Sequence, residues 1–310
     1  MVNHSSFRAA LPYFPQLLRK PLTGLSAEDA SEISEIRLRI CRPMRVVTHS
    51  AEYVLTREGT LTADDHQGIE ITRALMDEVF QALCSHSVHA VQHMLRQGFL
   101  TAAGGNRAGI VGTAVIQGQT LETVRSVSGI NLRIAGERPG CAEMLLKHPA
   151  LQGSSGGILI VGPPASGKTT ILRDLARIYG STVHTCIIDE RSEIAAVQNG
   201  VPQFHVGVQT DVLDGYPKAE GISVAVRVMS PSVLICDEIG GEAETQALLA
   251  SLNSGVRLIA SAHGGTLRST AMRPQIRRLL DAGVFEAAIL LGSGTKCGQL
   301  LAAERFGGRL

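Results

Sequence analysis

Residues 158–169 read ILIVGPPASGKT, and this stretch decides the fold of the second half of the chain. Four apolar residues typical of a buried strand lead into the pattern G-x-x-x-x-G-K-[ST], and a helical stretch at residues 170–179 follows without a break. Such a strand, glycine-bounded loop and helix N-terminus direct several backbone N–H groups at one point, where the helix dipole adds partial positive charge. A turn without a ligand would not need Lys followed by Thr at the helix start. The stretch therefore predicts a loop that binds phosphate groups.

The loop predicts ATP and Mg²⁺ as ligands. Lys168 supplies a full positive charge for the β- and γ-phosphates, and the Thr169 hydroxyl can ligate Mg²⁺. Ala165 stands where many such loops have a further glycine, which the pattern permits. The residues expected to contact the nucleotide are Gly162, Pro163, Pro164, Ala165, Ser166, Gly167, Lys168, Thr169 and Thr170.

A second apolar run, residues 233–236, ends in two carboxylates. Asp237 at the tip of this strand is expected to hold Mg²⁺, directly or through water. Glu238 is expected to orient and deprotonate the attacking water. Strands often end in solvated acids, so this pattern gains its weight from the phosphate loop upstream.

Two more strand ends carry candidate site residues. Residues 187–193, IIDERSE, fit either a surface loop of self-neutralising charges or a second acidic box, with Glu190 as first choice and Asp189 as second. His263 follows the apolar run 258–262 and is either a structural histidine or a sensor of the γ-phosphate. We favour the sensor, because ligands bind at the carboxyl ends of parallel strands.

The remaining pattern predicts an α/β chain of two domains. Residues 1–140 mix strand-like alternation, as at 35–47, with helical spacing at 65–84 and 88–96, which indicates a smaller α+β N-terminal domain. Residues 141–310 alternate buried strands with helices, which indicates a RecA-like P-loop NTPase domain with a mostly parallel sheet. The apolar runs of this second domain are 158–161, 183–188, 233–236, 258–262 and 287–291.

Composition narrows the function classes. The 310 residues are 44% apolar and 18% charged with a net charge of +1, so no global field favours nucleic acid or an anionic membrane. Nucleic-acid binding is further disfavoured by the 4 Tyr, 7 Phe and absent Trp, which leave little for base stacking. The 6 cysteines are scattered, which indicates a reducing compartment and neither zinc nor disulfides. Neither a signal peptide nor a membrane-spanning apolar run is recognisable, so we expect a cytoplasmic protein that partners could recruit to a membrane.

Four motifs occur in a familiar order. GPPASGKTT, CIIDERSE, RVMSPSVLICDEIGGEAET and LIASAHGG resemble the Walker A loop, Asp box, Walker B strand and His box of the type II/IV secretion and pilus-retraction ATPases. More closely, EIRLRICRPM, GGNRAGIVGTAV, SGINLRIAGE and DVLDGYPKAEG resemble the stage III sporulation protein AA family of endospore-forming bacteria. The chain departs from the secretion ATPases in having Asp237-Glu238 for Gly-Glu, and Gly240-Gly241 for an Arg-Asp pair.

The resemblance implies a cytoplasmic mechano-ATPase, a hexameric ring of the AAA+ kind, docked on membrane proteins of a channel between forespore and mother cell. It also implies that arginines of the N-terminal domain reach the nucleotide, with Arg133 and Arg107 at the matching positions and Arg138 next. The catalytic set is then Glu238, Glu190, His263 and Arg133.

Three other functions share the phosphate loop. ATP could set only the assembly state of a structural scaffold, or the chain could be a nucleic-acid-dependent ATPase. A small-molecule kinase ranks last, because no clear lid segment lies between the Walker B strand and His263.

Overall fold

The computed structural model describes residues 4–48, 50–88, 91–96, 98–117 and 120–306. The chain divides into two compact units. Unit 1 comprises Met1–Glu137 and Gln198–Gln203, and unit 2 comprises Arg138–Val197 and Phe204–Leu310. The sequence prediction put the boundary at 140 and did not separate the short segment Gln198–Gln203 from the residues around it.

Unit 1 contains an antiparallel sheet and several short helices. Its strands are β1 (Ile33–Arg39), β2 (Arg45–Thr48), β3 (Glu52–Leu55), β4 (Leu61–Thr62), β5 (Phe99–Ala102), β6 (Asn106–Gln117) and β7 (Thr120–Arg133). Its helices are α1 (His4–Ala10), α2 (Gln16–Gly24), α3 (Ala27–Glu32), α4 (Arg73–Leu83) and α5 (Gln92–Arg96). In the described residues the sheet order is β4-β3-β2-β1-β7-β6-β5, and every pairing is antiparallel.

Several element bounds in unit 1 differ from the sequence predictions. Residues 35–47 form two strands, because the chain turns after β1 at Cys41, whose φ is +57°, and returns as β2. Helix α4 begins only after Thr72, whose hydroxyl accepts a hydrogen bond from the N–H of Leu75 at 3.3 Å, so the expected start at 65 was wrong. The helix expected at 88–96 is described as α5 alone, and residues 89–90 lie outside the described part of the chain.

Unit 2 contains a largely parallel sheet. Its strands are β8 (Gly157–Gly162), β9 (Thr185–Asp189), β10 (Thr210–Asp214), β11 (Val233–Cys236), β12 (Arg257–His263), β13 (Phe285–Leu291) and β14 (Leu300–Arg305). Its helices are α6 (Glu143–Leu146), α7 (Lys168–Tyr179), α8 (Lys218–Val224), α9 (Glu242–Ser251), α10 (Leu267–Ala271) and α11 (Pro274–Asp281). The order is β10-β9-β11-β12-β8-β13-β14, and in the described residues only the β13–β14 pairing is antiparallel.

Helices cover both faces of this sheet. Ile160 of β8 packs in one buried cluster with Ile171 of α7, and Val161 of β8 packs in the opposite cluster with Leu248 of α9. Each fully buried aliphatic side chain of this kind contributes about 1.5–3 kcal/mol to stability. Because every residue of β8 is buried on one face or the other, the strand has the unbroken apolar sequence that identified it.

Parallel pairing brings the carboxyl ends of four strands to one edge of the sheet. His263 at the end of β12 is in register with Gly162 at the end of β8. Cys236 at the end of β11 is in register with Ala260 of β12 and with Ile188 of β9. The fold therefore places the phosphate loop and three polar strand ends along the same edge.

Candidate nucleotide-binding site

The loop from Gly162 to Lys168 joins β8 to α7 in a tight turn. Gly167 precedes the helix with φ +88°, a left-handed conformation that glycine adopts without strain. A Cβ on Gly162 would lie only 2.3 Å from Ser166 Oγ, so the loop requires glycine there. Among the described residues no side chain caps α7, which leaves the first amides of that helix available to an anion.

Two side chains of the loop have the properties of phosphate ligands. Ser166 Oγ is buried, and together with Thr123 Oγ1 it forms the short set of buried side-chain polar atoms in the described residues that lack a hydrogen-bond partner. Lys168 is buried and folds back over the loop, where Nζ donates to Gly162 O at 3.1 Å and Pro163 O at 2.9 Å. Burial lowers the pKa of Lys168, and the nearby Glu238 carboxylate partly opposes this shift.

A segment near the C-terminus packs against the phosphate loop. The backbone N–H of Gly298 donates to Ser166 O at 3.1 Å. The thiol of Cys297 donates to Ala165 O at 3.2 Å. Sequence reasoning missed this contact, because nothing in the pattern of residues 297–298 relates them to a loop about 130 positions earlier.

Glu238 and His263 form the centre of the site. His263 Nε2 lies 2.8 Å from Glu238 Oε1, and His263 Nδ1 lies 3.4 Å from Lys168 Nζ. A lysine ammonium can only donate, so Nδ1 accepts in this contact and Nε2–H donates to the carboxylate. His263 thus bridges the phosphate-loop lysine and the carboxylate at the end of β11.

The backbone of Glu238 is itself unusual. Its φ is +41°, a left-handed conformation that costs a non-glycine residue about 1–2 kcal/mol. The N–H of Glu238 donates a hydrogen bond to the Ser261 hydroxyl at 2.9 Å. Arg191 Nη1 reaches the other carboxylate oxygen at 3.5 Å, so contacts from two directions fix the side chain.

Asp237 is nearly inaccessible, with 4% of its surface exposed. Burial raises its pKa to about 6, although the nearby Lys218 ammonium acts in the opposite direction. A carboxylate with this desolvation cost has a strong electrostatic preference for a cation close by. In the structure that cation is Lys218, whose Nζ lies 3.7 Å from Asp237 Oδ1.

The two acidic candidates at the end of β9 differ in environment. Asp189 is fully buried and accepts hydrogen bonds from the backbone N–H groups of Glu193, Ile194 and Ala195 at 2.8, 3.0 and 2.8 Å. Its oxygens therefore hold the following loop together. Glu190 is much more accessible and lies 3.7 Å from Lys218 Nζ, and its role as the acidic-box residue stays a prediction.

Lys218 is the main residue that sequence reasoning missed. It begins α8 within the stretch DVLDGYPKAEG, which contains most of β10 and the start of α8. The lysine is 6% exposed and donates to Glu238 O at 3.1 Å. A lone lysine carries no sequence signal for such a position, because its partners come from three other elements.

Two of the three predicted arginines lie in unit 1 and the third lies in unit 2. Arg133 ends β7 of unit 1, where it is largely exposed and its Nε lies 3.7 Å from Glu35 Oε2. Arg107 of β6 is in register with Arg133 and lies over the ring of Phe99 at 4.5 Å. Arg138 begins the first segment of unit 2. The role of each at a nucleotide stays a prediction.

Fold and site together define the class: this is an α/β chain with an ATPase-like fold. The pilus retraction motor PilT with bound ADP superposes with a TM-score of 0.56 at 16% identity, covering 85% of this chain and 75% of PilT. The ATPase DotB of Legionella pneumophila gives 0.52 at 14% identity, covering 85% of this chain and 73% of DotB. At these identities the similarity concerns the fold.

The family follows from the sequence. The chain belongs to the family "Sporulation stage III, protein AA", which it matches over residues 14–309. Stage III sporulation protein AA of Bacillus subtilis (strain 168) is 36% identical over 291 residues, which is 91% of each chain. These findings confirm the family resemblance predicted from the motifs.

Two further features bear on membranes and metals. No helix among the described residues has the length and apolar character needed to span a bilayer. Within the same part of the chain, His, Cys, Asp and Glu side chains do not gather in threes or more as a metal cage. Mg²⁺ does not require such a cage, because it commonly takes one or two protein ligands together with phosphate oxygens and water.

Proposed function

We propose that this chain binds ATP with Mg²⁺ at the loop 162–169 and hydrolyses the γ-phosphate, with residues 141–310 as a RecA-like P-loop domain. The observation that carries the proposal is the bridge from Lys168 through His263 to Glu238. It connects the residue suited to bind a phosphate with the residue suited to activate water. A phosphate loop that only binds a nucleotide, without hydrolysing it, would not need a carboxylate and an imidazole in contact with its lysine.

The binding residues fit a triphosphate. The start of α7 and the Ser166 hydroxyl, which have no capping side chain and no hydrogen-bond partner in the part of the chain that the structure describes, offer donors to phosphate oxygens. Lys168 adds a positive charge. Thr169 and Asp237 would hold Mg²⁺, whose charge would offset the desolvation that raises the pKa of Asp237. Pro163, Pro164 and Thr170 would shape the loop around the phosphates.

The catalytic residues divide the work by their contacts. Glu238 accepts a proton from the attacking water, and His263 Nε2–H holds its carboxylate in one orientation. When Lys168 leaves its own loop carbonyls for a phosphate, the contact at His263 Nδ1 breaks, so His263 senses the arrival of the γ-phosphate. Positioned general bases contribute about 10²–10⁴-fold to rate. Glu190 supplies a second acidic group at the neighbouring strand end.

At the level of the cell, we propose a motor of sporulation. Membership of the sporulation stage III, protein AA family supports a role in spore formation. The similarity in fold to PilT, a pilus retraction motor, supports a motor rather than a metabolic enzyme. The proposed assembly is a hexamer on the cytoplasmic face of a membrane channel complex, whose membrane proteins it energises. Arg133, then Arg107 or Arg138, is the proposed arginine that completes the site, a device worth about 10³–10⁵-fold in P-loop enzymes.

The direct test compares phosphate release and ATP binding in the wild type and in Glu238→Gln. The variant keeps an oxygen for His263 and removes the base, so we expect unchanged ATP affinity and a loss of turnover of at least about 100-fold. Glu242→Gln, a matched change on the exposed start of α9, is the control and should turn over normally.

Each rival function has its own outcome in this assay. Tight ATP binding without turnover by the wild type at ring-forming concentration would leave a nucleotide-regulated scaffold. Turnover that appears only with single-stranded DNA or RNA, and fades with salt, would indicate a nucleic-acid-dependent ATPase. Turnover by Glu238→Gln equal to that of the wild type would refute the assigned base.

A further inference from the structure

The turn after β11 is held by side chains from three surrounding elements. The Ser261 hydroxyl of β12 accepts a hydrogen bond from the N–H of Glu238 at 2.9 Å. The backbone carbonyl of Ser261 accepts a second one from the N–H of Ile239 at 2.8 Å. Glu244 of α9 accepts the N–H groups of Gly240 and Gly241 at 2.9 and 3.0 Å. A turn fixed at this many backbone groups has a single conformation, which is what a catalytic carboxylate requires.

Lys218 completes this set from the opposite direction. Its Nζ donates to the carbonyl oxygen of Glu238 at 3.1 Å. Both backbone polar groups of Glu238 are therefore bound by side chains, the N–H by Ser261 and the carbonyl by Lys218. Glu238 is also the residue whose φ of +41° is unfavourable for a side chain other than glycine. The two anchors together hold a conformation that the residue would otherwise leave.

The charges around Lys218 explain why the ammonium stays there. Three carboxylates surround it at ion-pair distance: Asp237 Oδ1 at 3.7 Å, Glu190 Oε2 at 3.7 Å and Glu244 Oε1 at 3.8 Å. These distances exceed those of a direct hydrogen bond, so the carboxylates act mainly by their charge. The directed hydrogen bond of the lysine is the one to Glu238 O, whereas the carboxylates compensate its burial.

We propose that Lys218 is a positioning residue for the catalytic carboxylate: its ammonium and the Ser261 hydroxyl clamp the left-handed backbone of Glu238 and thereby aim its side chain at His263. The inference rests on the proposed ATP hydrolysis and adds a residue to that site. Without the lysine, Glu238 relaxes toward an ordinary backbone conformation and its carboxylate leaves the imidazole. The direct contacts of the phosphate loop with a nucleotide are unaffected, because Lys218 contacts no residue of that loop among its described contacts.

The first measurement needs no nucleotide. Long-range ¹H–¹⁵N NMR of the full chain reports whether His263 Nε2 carries a hydrogen-bonded proton, with the signal assigned through His263→Gln. We expect the wild type to show that signature and Lys218→Met to lose it. Ser261→Ala should lose it as well, since it removes the opposite anchor. Glu242→Gln is the control: it removes an exposed charge at the start of α9, leaves every contact that holds the turn in place, and should retain the signature.

The second measurement compares turnover with ATP affinity. A displaced base should lower kcat of Lys218→Met by about 100-fold, a loss typical of a catalytic group moved by about 1 Å. The dissociation constant for ATP, measured without Mg²⁺ because Lys218 also neighbours the proposed metal ligand Asp237, should change by less than about twofold. Lys218→Arg, which keeps a cation and its N–H donors, should recover part of kcat.

The outcomes separate this inference from the proposed function. Wild-type protein that neither binds nor hydrolyses ATP would refute the function, while the NMR comparison would still decide the clamp. A His263 signature in Lys218→Met identical to that of the wild type would overturn the inference. If Lys218→Met does not fold, Ser261→Ala decides: retention of the signature there overturns the clamp, and its loss supports it.

Discussion

Replacing Ala165 with glycine should stabilise the protein, although an alanine-to-glycine change destabilises a protein at most positions. Ala165 is exposed in the phosphate loop and has φ +57°, a left-handed conformation that costs an alanine about 1–2 kcal/mol. Glycine removes this cost but adds about 0.4–1 kcal/mol of conformational entropy to the unfolded chain. The difference is a net gain of about 0.8 kcal/mol, which corresponds to a rise in Tm of about 2 °C for a domain of this size.

The control is Ala250→Gly, which places the identical change at an exposed position within α9. There the backbone is helical, so glycine should cost about 1 kcal/mol. Thermal unfolding of both variants, followed by circular dichroism, should therefore give shifts of opposite sign. Equal destabilisation by the two substitutions would refute the strained phosphate loop. Because the loop amides keep their positions, the ATP affinity of Ala165→Gly should remain within about twofold of the wild type.

Three further outcomes test separate parts of the structure. Asp174→Asn should lower the free energy of unfolding in urea by about 2 kcal/mol, because the buried carboxylate accepts two backbone N–H groups and pairs with an arginine. The control Asp281→Asn changes an exposed carboxylate and should alter the free energy of unfolding by less than about 0.5 kcal/mol. The N–H of Gly156 and the Ser154 hydroxyl lower the pKa of Glu286 from 4.5 to about 2, so its stabilising effect is present above pH 4.5 and disappears as the pH falls through about 2. The difference in unfolding free energy between the wild type and Glu286→Gln should accordingly shrink over that interval, and a difference independent of pH would contradict this account. His263→Ala should lower phosphate release by at least about tenfold at unchanged ATP affinity, and a parallel loss of affinity would instead make the imidazole a binding group.

The sequence pattern alone was sufficient to predict the positions of residues that lie at the carboxyl ends of parallel strands. The loop at 162–169 was identified from the strand before it and the helix after it. Asp237, Glu238 and His263 were expected at one edge because parallel strands end on the same side, and the registers of β8, β11 and β12 place them there. The buried strands β8 and β11 have continuous apolar sequences, which explains why they were found with nearly correct bounds.

Edge strands and long-range polar contacts were not predictable in this way. Strands β10 and β14 are the two outermost strands of the sheet, and exposed residues interrupt their apolar pattern. The different environments of Asp189 and Glu190 depend on which carboxylate the loop backbone encloses, and adjacent acids look alike in a sequence. Lys218 is harder still, because its hydrogen bond and ion pairs reach residues 19–28 positions away on both sides.

The proposed ATP hydrolysis depends on the loop between β8 and α7 holding a nucleoside triphosphate. Isothermal titration calorimetry of the full chain with Mg-ATP measures this directly. The wild type should bind with saturable heat at one site per chain, and Lys168→Ala should lose at least about 100-fold in affinity, which is about 2.7 kcal/mol. Lys20→Ala, an exposed lysine of unit 1, should bind like the wild type. Absence of heat with folded wild-type protein, or equal affinity of Lys168→Ala, would contradict the account.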